Sequence, residues 1–218
     1  MKKLSIIIPA YNEDKTILKV LNRVNTTKSD KINYEVIVVD DGSTDDTKNI
    51  LNANSHLYDQ LISNEKNIGK GGAVKIGIET ATGDYIIFQD ADLEYDPEDI
   101  IKFINVFIEF DADVIIGSRF SYDRYTKSHS FYNKIGNKVI TIIFNLLYNT
   151  TFMDIYSCYL CFKKNLIKAS DLKTNGFEQH AEILSKIISN SKNYYEVPIN
   201  YNGRSVSEGK KIRWYHIF

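Results

Sequence analysis

The sequence predicts an α/β fold in which a mostly parallel sheet carries helices on both faces. Short, continuous apolar runs that are rich in β-branched residues predict strands, as at residues 4–8 and 34–39. Segments of about 10–15 residues with helical spacing of apolar residues separate these runs. Continuous apolar strands joined by helices are typical of parallel sheets that are buried on both faces.

In the first half of the chain, five strands alternate with four helices. The strands are predicted at 4–8, 34–39, 60–63, 84–89 and 113–117. The first helix is predicted at 14–25, and the second follows a cap at Thr44 or Asp45. The third and fourth helices are predicted at 71–81 and 98–110. Pro97 precedes the last of these at the position where a helix accepts proline.

The second half of the chain is less regular. Residues 118–130 are polar and basic and are predicted to form a loop. A helix is predicted at Phe131–Tyr148, and its dense apolar run is about half of what a bilayer span needs. It is therefore interpreted either as a buried helix or as an amphipathic helix lying in a membrane interface. A strand at 159–163, a helix at 178–189 and a strand at 194–197 complete the prediction.

Length and composition indicate one large globular domain over residues 1–218. The chain is 43% hydrophobic and 25% charged, which supplies a core and excludes wholesale disorder. The net charge of −1 hides an asymmetry, since residues 1–118 carry a net charge of −9 and residues 119–218 a net charge of +8. An acidic half suits a metal ion, and a basic half suits phosphates, anionic lipid or nucleic acid. A solvated surface without a ligand is the alternative.

Cysteine usage and the termini indicate a cytoplasmic protein. Cys158 and Cys161 flank a predicted strand without a second pair for zinc, so we interpret them as buried thiols in a reducing compartment. The N-terminus shows no signal-peptide pattern, and no segment qualifies as a membrane span.

Acidic residues follow the second and fourth predicted strands. Ligands of parallel sheets bind beyond the carboxyl ends of the strands, where Asp40 and Asp90 lie. Asp90 and Asp92 can share a divalent cation with a diphosphate, and Glu94 adds a third oxygen ligand. The alternative is a turn with solvated aspartates.

Two further segments are candidates for nucleotide binding. Asp40 can accept hydrogen bonds from a base or ribose, although Asp40-Asp41-Gly42-Ser43 also suits an ordinary turn. After the first strand, Tyr11 can stack on a base, and Glu13 can accept a hydrogen bond from it. The alternative is a strand-to-helix turn in which Asn12 or Asp14 caps the helix. The glycine cluster at 69–73 follows the third strand, which excludes a dinucleotide fingerprint, and it lacks the phosphate-loop pattern.

Four motifs together resemble inverting GT-A glycosyltransferases of the family 2 type. They are Ser5 to Glu13, Val38 to Asp45, Asn67-x-Gly69-Lys70-Gly71 and Gln89-Asp90-Ala91-Asp92-Leu93. Gly117-Ser118-Arg119-Phe120, Glu196-Val197-Pro198-Ile199, and Arg204 with Lys210 are similar to the branch of dolichyl-phosphate mannosyltransferases and polyprenyl-phosphate glycosyltransferases. The resemblance implies a Rossmann-like GT-A fold, with a nucleotide-sugar-binding half at 1–118 and an acceptor-side extension at 119–218.

The resemblance also implies roles for individual residues. The nucleoside is held by Pro9, Tyr11, Glu13, Val38 and Asp40. The diphosphate is met by Asp90, Ala91 and Asp92, and Mg²⁺ or Mn²⁺ is bound by Asp90, Asp92 and Glu94. Glu94 stands where the branch more often has glutamine. The donor and acceptor phosphates are neutralised by Arg119, Arg204 and Lys210. Arg119 could instead form a structural ion pair.

The function implied is metal-dependent, inverting transfer of a hexose from a nucleotide sugar, first of all GDP-mannose, to a polyprenyl or dolichyl phosphate. The expected location is the cytoplasmic face of a membrane, through peripheral contact or an anchoring partner, and no nucleic acid is expected. One alternative is transfer to a sugar hydroxyl of a surface glycan, which needs a base such as Asp154. Asp154 could equally be a structural turn acid. A non-catalytic nucleotide-sugar-binding protein is the other alternative.

Overall fold

A computed structural model describes residues 1–28, 30–120, 131–176 and 178–203. Within these residues the strands form one seven-stranded sheet. The strands are β1 (Lys3–Ala10), β2 (Asn33–Asp40), β3 (Gln60–Ser63), β4 (Tyr85–Phe88), β5 (Val114–Ser118), β6 (Leu160–Lys163) and β7 (Tyr194–Pro198).

Helices cover both faces of this sheet. They are α1 (Ile17–Thr26), α2 (Thr47–Ala53), α3 (Lys70–Thr80), α4 (Ile100–Phe110), α5 (Phe131–Tyr148) and α6 (Gln179–Ser189). Single 3₁₀ turns lie at Ser55–Leu57, Pro97–Asp99, Lys164–Leu166 and Ala169–Asp171. The predicted α/β class and the order of the elements are confirmed.

The strand order is β3-β2-β1-β4-β6-β5-β7. All neighbouring strands are parallel except that β6 runs antiparallel to both β4 and β5. The sheet is therefore mostly parallel, as predicted. Both neighbours of β5 in the sheet, β6 and β7, come from the later half of the chain.

Alternate side chains of each strand enter separate hydrophobic cores on the two faces. Ile6 and Ile8 of β1 pack in the cluster that contains buried residues of α1 and α4. Ile7, between them, packs in the cluster of α3 and α6. Helix α3 approaches β1 closely, since a Cβ added to Gly77 would lie 2.3 Å from Cγ2 of Ile7. The two apolar faces explain why the strands appear in the sequence as continuous apolar runs.

The residue Asn12 does not cap the first helix, which begins at Ile17. Asn12 adopts a left-handed conformation with φ 53°. Its backbone N–H donates to Oγ of Ser43 at 3.0 Å, and its Oδ1 accepts from the N–H of Thr44 at 2.8 Å. Asn12 thus joins the loop after β1 to the loop after β2.

Helix α5 is amphipathic, which corrects the interpretation of it as a buried helix. Seven large apolar side chains are exposed: Phe131, Ile135, Val139, Ile142, Ile143, Leu146 and Leu147. Among the described residues, no helix is both long enough and apolar enough to cross a membrane.

The buried carboxylate of Glu35 joins three segments near the amino ends of β1 and β2. Glu35 of β2 accepts hydrogen bonds from Nζ of Lys3 at 2.8 Å, from the hydroxyl of Ser5, and from the N–H and hydroxyl of Thr82 at 2.8 and 2.6 Å. Burial raises the pKa of Glu35, but the hydrogen bonds outweigh burial and lower the pKa to about 2. The network fixes β1 against β2 and the turn between α3 and β4.

We expect Glu35→Gln to lower the free energy of unfolding at pH 7 by about 1–3 kcal/mol, because buried donors lose a charged acceptor. Because the folded-state pKa is depressed, this stability is present above the unfolded pKa near 4.5 and is lost as pH falls towards 2. Urea unfolding of the wild type and of Glu35→Gln at several pH values measures both effects. Glu109→Gln on the exposed surface of α4 is the control, and equal effects of the two substitutions would contradict the prediction.

Candidate active site at the carboxyl edge of the sheet

The ends of β1 and β2 bring together the acids predicted to bind a nucleoside. The backbone N–H of Glu13 donates to Oγ1 of Thr47 at 2.8 Å, and Oε2 of Glu13 accepts from Oγ1 of Thr16 at 2.9 Å. Oδ1 of Asp40 accepts from the N–H of Ser43 at 3.1 Å. Glu13 and Asp40 are both buried, and half-buried Tyr11 lies in the same loop as Glu13. The predicted residues therefore share one edge of the sheet.

Three further residues that the resemblance assigns to the ligand lie partly or wholly inside the protein. Val38 is fully buried in a hydrophobic core, and its strand is paired on both sides. Ala91 lies in the same core with 3% of its surface exposed. Pro9 is half-buried within β1. Contact of these three residues with the ligand stays a prediction.

The residue Asp41 organises the loop before α3, a role that the sequence analysis missed. Its Oδ1 accepts from Nδ2 of Asn64 at 2.8 Å and from the N–H of Ile68 at 3.0 Å, and its Oδ2 accepts from the N–H of Gly69 at 3.0 Å. Gly69 has a φ of 92°, which a side chain would disfavour. A buried carboxylate thus sets the start of α3.

Helix α3 begins with a lysine that is paired with the first predicted metal ligand. Nζ of Lys70 lies 2.6 Å from Oδ1 of Asp90, and both side chains are mostly buried. Burial lowers the pKa of Lys70, but the neighbouring negative charges, led by Asp90, together with the hydrogen bond to Asp90 outweigh burial and raise the pKa. Lys70 therefore stays protonated beside the predicted diphosphate site. Its position in the glycine cluster at 69–73 was the available clue.

The three predicted metal ligands do not form one ligand set. Leu93 adopts a left-handed φ of 61° and redirects the chain between Asp92 and Glu94. Oε2 of Glu94 accepts from the hydroxyl of Tyr201 at 2.6 Å, while Oδ1 of Asp92 accepts from the N–H of Glu94 at 3.0 Å. In the described part of the chain, no group of three His, Cys, Asp or Glu side chains is placed to hold a metal ion.

The donor chemistry of Asp90 and Asp92 still fits Mg²⁺ or Mn²⁺. Hard carboxylate oxygens suit these ions, and Mg²⁺ is usually bound by one or two carboxylates together with phosphate oxygens and water. A complete cage of protein ligands is therefore not required at this position.

Across the site, Arg119 and Asp154 form a buried bidentate ion pair. Nε of Arg119 donates to Oδ2 of Asp154 at 2.7 Å, and Nη2 donates to Oδ1 at 2.8 Å. The backbone N–H of Arg119 donates to the same Oδ2 at 3.1 Å. Asp154 is completely buried, and the side chain of Arg119 is 16% exposed. The guanidinium also lies over the ring of Tyr201, 5.2 Å from its centroid.

Two further polar side chains support Asp154. Nδ2 of Asn137 on α5 donates to Oδ1 of Asp154 at 2.8 Å. The carboxylate of Glu196 on β7 accepts from the backbone N–H groups of Met153 and Asp154 at 2.9 and 3.0 Å. Burial raises the pKa of Asp154, but the charge of Arg119 and the hydrogen bonds outweigh burial and lower the pKa. With four hydrogen bonds to its two oxygens, Asp154 is suited to orient Arg119 rather than to accept a proton.

A thiol and a histidine complete the described part of the site. Cys158 and Cys161 are both free; Cys161 is fully buried in β6, whereas Cys158 is only half-buried. Burial raises the pKa of the Cys158 thiol, although the charge of Lys70 opposes this. Nε2 of His180 lies 2.9 Å from the carbonyl oxygen of Ile155, and burial lowers its pKa to about 4. The predicted phosphate ligands Arg204 and Lys210 lie outside the described residues.

The sequence is similar to those of known proteins over nearly its whole length. Residues 5–169 match the sequence profile described as glycosyl transferase family 2. The chain is 31% identical over 211 residues to a dolichol-phosphate mannosyltransferase of Pyrococcus furiosus. The aligned region covers 95% of this chain and 59% of that protein. It is also 31% identical over 232 residues to a UDP-N-acetylglucosamine–dolichyl-phosphate N-acetylglucosaminyltransferase of Methanococcus voltae, covering 97% of this chain and 91% of that protein.

Solved structures share the fold at lower sequence identity. A glucosyl-3-phosphoglycerate synthase from Mycobacterium tuberculosis, in complex with Mn²⁺, UDP and phosphoglyceric acid, matches with a TM-score of 0.70 and 18% identity over 95% of this chain and 73% of that chain. TarS of S. aureus in complex with UDP matches with a TM-score of 0.67 and 20% identity over 99% of this chain and 68% of that chain.

We expect Asp154→Asn to lower the free energy of unfolding by about 3 kcal/mol, because the buried charge of Arg119 loses its counter-ion. Adding Arg119→Met to this variant removes that charge and is expected to restore part of the loss. Urea unfolding of the wild type, the two single variants and the double variant measures the coupling between the two residues. If the two single effects simply add, the residues are not coupled and the prediction is wrong.

Proposed function

The chain belongs to glycosyl transferase family 2 and has the GT-A fold, and we propose that it transfers a hexose from a nucleotide-diphosphate sugar to a polyprenyl phosphate. The relatives from Pyrococcus furiosus and Methanococcus voltae are both named for transfer to dolichol or dolichyl phosphate. In this proposal residues 1–218 act as one catalytic domain, with the acceptor-side residues in the later half.

The observation that carries the proposal is that both carboxylate oxygens of Asp154 already accept two hydrogen bonds each. A sugar hydroxyl needs a general base to become a nucleophile, and Asp154 is the acid that the sequence offered for that role. Its oxygens accept four hydrogen bonds from Arg119 and Asn137, and its pKa is lowered. A phosphate monoester is already anionic at neutral pH and needs no base. The geometry therefore favours a phosphate acceptor.

The proposed step is a direct displacement with inversion. A phosphate oxygen of the acceptor attacks the anomeric carbon, and the bond from that carbon to the diphosphate oxygen breaks. The bonding electron pair leaves with the nucleoside diphosphate, so no proton has to be moved. Arg119 keeps N–H groups that Asp154 does not use, and a guanidinium suits a phosphate. Asp154 fixes its orientation, and Arg204 and Lys210 are proposed to add positive charge beside the two anions.

On the donor side, Tyr11, Glu13 and Asp40 are proposed to hold the nucleoside. Asp90 and Asp92 are proposed to bind Mg²⁺ or Mn²⁺ at the diphosphate. The ion supplies Lewis-acid stabilisation of the leaving diphosphate. Lys70 adds a fixed positive charge at the same place. GDP-mannose remains the first donor to test, and UDP-N-acetylglucosamine is the second because of the Methanococcus relative.

We expect metal-dependent transfer of label from one nucleotide sugar into the lipid fraction when a polyprenyl phosphate is supplied in detergent. Chelation of the metal, or Asp92→Asn, is expected to reduce the rate by about 100-fold or more, since the leaving diphosphate loses its counter-charge. Asp46→Asn at the exposed start of α2 is the matched control. Hydrolysis of the donor without labelling of lipid would discard the phosphate acceptor.

The pH dependence of kcat/KM separates a phosphate acceptor from a hydroxyl acceptor. Without a general base, the rate is expected to rise with the second ionisation of the acceptor phosphate, near pH 6, and to stay level above it. A more acidic fluorinated phosphonate acceptor is expected to shift this rise to lower pH. NMR of the product is expected to show an anomeric configuration opposite to that of the donor. A rise that stays at the same pH with both acceptors would point to a base on the enzyme and contradict the mechanism.

A further inference from the structure

The first turn of α6 contacts both sides of the candidate active site. Nε2 of Gln179 donates to the carbonyl oxygen of Gly71, in the first turn of α3, at 2.6 Å. Nε2 of the next residue, His180, lies 2.9 Å from the carbonyl oxygen of Ile155, which follows Asp154 in the chain. His180 is therefore held between the start of α3 and the loop that carries Asp154.

Two cations of the site act on the imidazole ring of His180. Burial is the main reason that the pKa of His180 falls to about 4. The hydrogen bond with Ile155 opposes this fall, whereas the charges of Lys70 and Arg119 lower the pKa further. The ring is consequently neutral at physiological pH. Because its pKa lies far below that pH, the ring is a weak general base and is better suited to hydrogen bonding.

The contact with Ile155 determines which ring nitrogen of His180 carries the proton. A neutral imidazole has one N–H group and one nitrogen with a lone pair. A carbonyl oxygen can only accept, so Nε2 carries the proton and donates the hydrogen bond to Ile155. Nδ1 is then a hydrogen-bond acceptor. It forms no hydrogen bond with the described residues, and it is open to solvent.

We propose that Nδ1 of His180 accepts a hydrogen bond from a hydroxyl group of the donor hexose and thereby contributes to the selection of the sugar. In the proposed function, on which this inference rests, the diphosphate binds near Lys70 and the acceptor phosphate near Arg119. The hexose then lies between these two cations, because its anomeric carbon joins the leaving oxygen to the attacking oxygen. The contacts of α6 hold His180 in the same interval.

An acceptor in a fixed position distinguishes hexoses by the direction of one hydroxyl group. A site that pairs with a substrate hydroxyl disfavours an analogue that lacks it, because the polar group of the protein is left unpaired. Epimers present the same hydroxyl in different directions, so the ring of His180 accepts from one epimer and not from the other. The hydrogen bond to Ile155 keeps the ring from turning to follow the sugar.

The first test follows the ring nitrogens of His180 by ¹⁵N NMR of the full chain, with Mg²⁺ and without acceptor. The probes are GDP-mannose and UDP-N-acetylglucosamine, each compared with GDP or UDP alone. The Nδ1 signal is identified by its loss in His180→Gln, and by a ring that stays neutral at about pH 5.5, where unperturbed histidines are protonated. We expect one nucleotide sugar to shift this signal and its nucleoside diphosphate to leave it unchanged.

The second test uses deoxy analogues of that donor, each without one hydroxyl, in transfer to a short-chain prenyl phosphate. For the wild type, one analogue is expected to lower kcat/KM by about 10- to 100-fold. In His180→Gln the side-chain amide reaches the position of Nε2 and leaves that of Nδ1 empty. This variant is expected to use the same analogue and the parent donor with equal kcat/KM. The matched control is His56→Gln, an exposed position that is expected to discriminate like the wild type.

Any of four results would overturn the inference about His180. They are an Nδ1 signal that no nucleotide sugar shifts, a shift that GDP or UDP alone reproduces, equal use of every deoxy analogue by the wild type, and unchanged discrimination in His180→Gln. If a nucleotide sugar shifts the Nδ1 signal but no label reaches a prenyl phosphate, the proposed function fails and the contact of His180 with the sugar stands. If His180→Gln does not fold, the NMR comparison on the wild type decides alone.

Discussion

The ion pair between Arg119 and Asp154 is the interaction on which the later half of the structure depends. Taking both charges out of water costs several kcal/mol for each ion, and the buried carboxylate is tolerated because both of its oxygens accept hydrogen bonds. The groups that satisfy Asp154 come from separate segments, namely the end of β5 and helix α5, and Glu196 of β7 holds the loop that carries Asp154. The irregular segments after β5 are thus assembled around one buried charge, and the same pairing fixes the direction of the arginine that faces the site.

Charge compensation also governs the edge of the sheet where the donor is proposed to bind. The sequence suggests a bare cluster of acids, but the structure pairs Asp90 with Lys70 and gives Glu94 the hydroxyl of Tyr201. Tyr201 also lies over Arg119, so the acidic and basic sides of the site meet at one aromatic ring. In the proposed function, an anionic donor that binds at this edge meets positive charge that is already oriented, which reduces the reorganisation that electrostatic stabilisation requires.

The fold could be predicted from the sequence because apolar runs and helical spacing report burial directly, and every predicted element is present within a few residues. The acids at the ends of β2 and β4 could also be located from the sequence, since a parallel sheet binds ligands at the carboxyl ends of its strands. What could not be predicted are the contacts between residues distant in sequence. Asp154 looked equally like a base and a turn acid, because its pairing with Arg119 spans 35 residues. Leu93 and Asn12 adopt left-handed backbone conformations that the neighbouring sequence does not predict. These conformations redirect Glu94 and the loop after β1.

The placement of β6 between β4 and β5 has a consequence for the order of assembly. Strands β1 to β4 pair with one another in parallel, and this unit is complete once residue 88 has been synthesised. Strand β5 is made next, but both of its neighbours, β6 and β7, follow it in the chain. Its backbone groups stay without strand partners until residues 160–163 emerge, a closure over a long intervening segment that is entropically slow. A nascent chain therefore passes through a stage in which the sheet edge that carries Asp40 and Asp90 is formed while Arg119, which follows β5, still lacks its counter-ion.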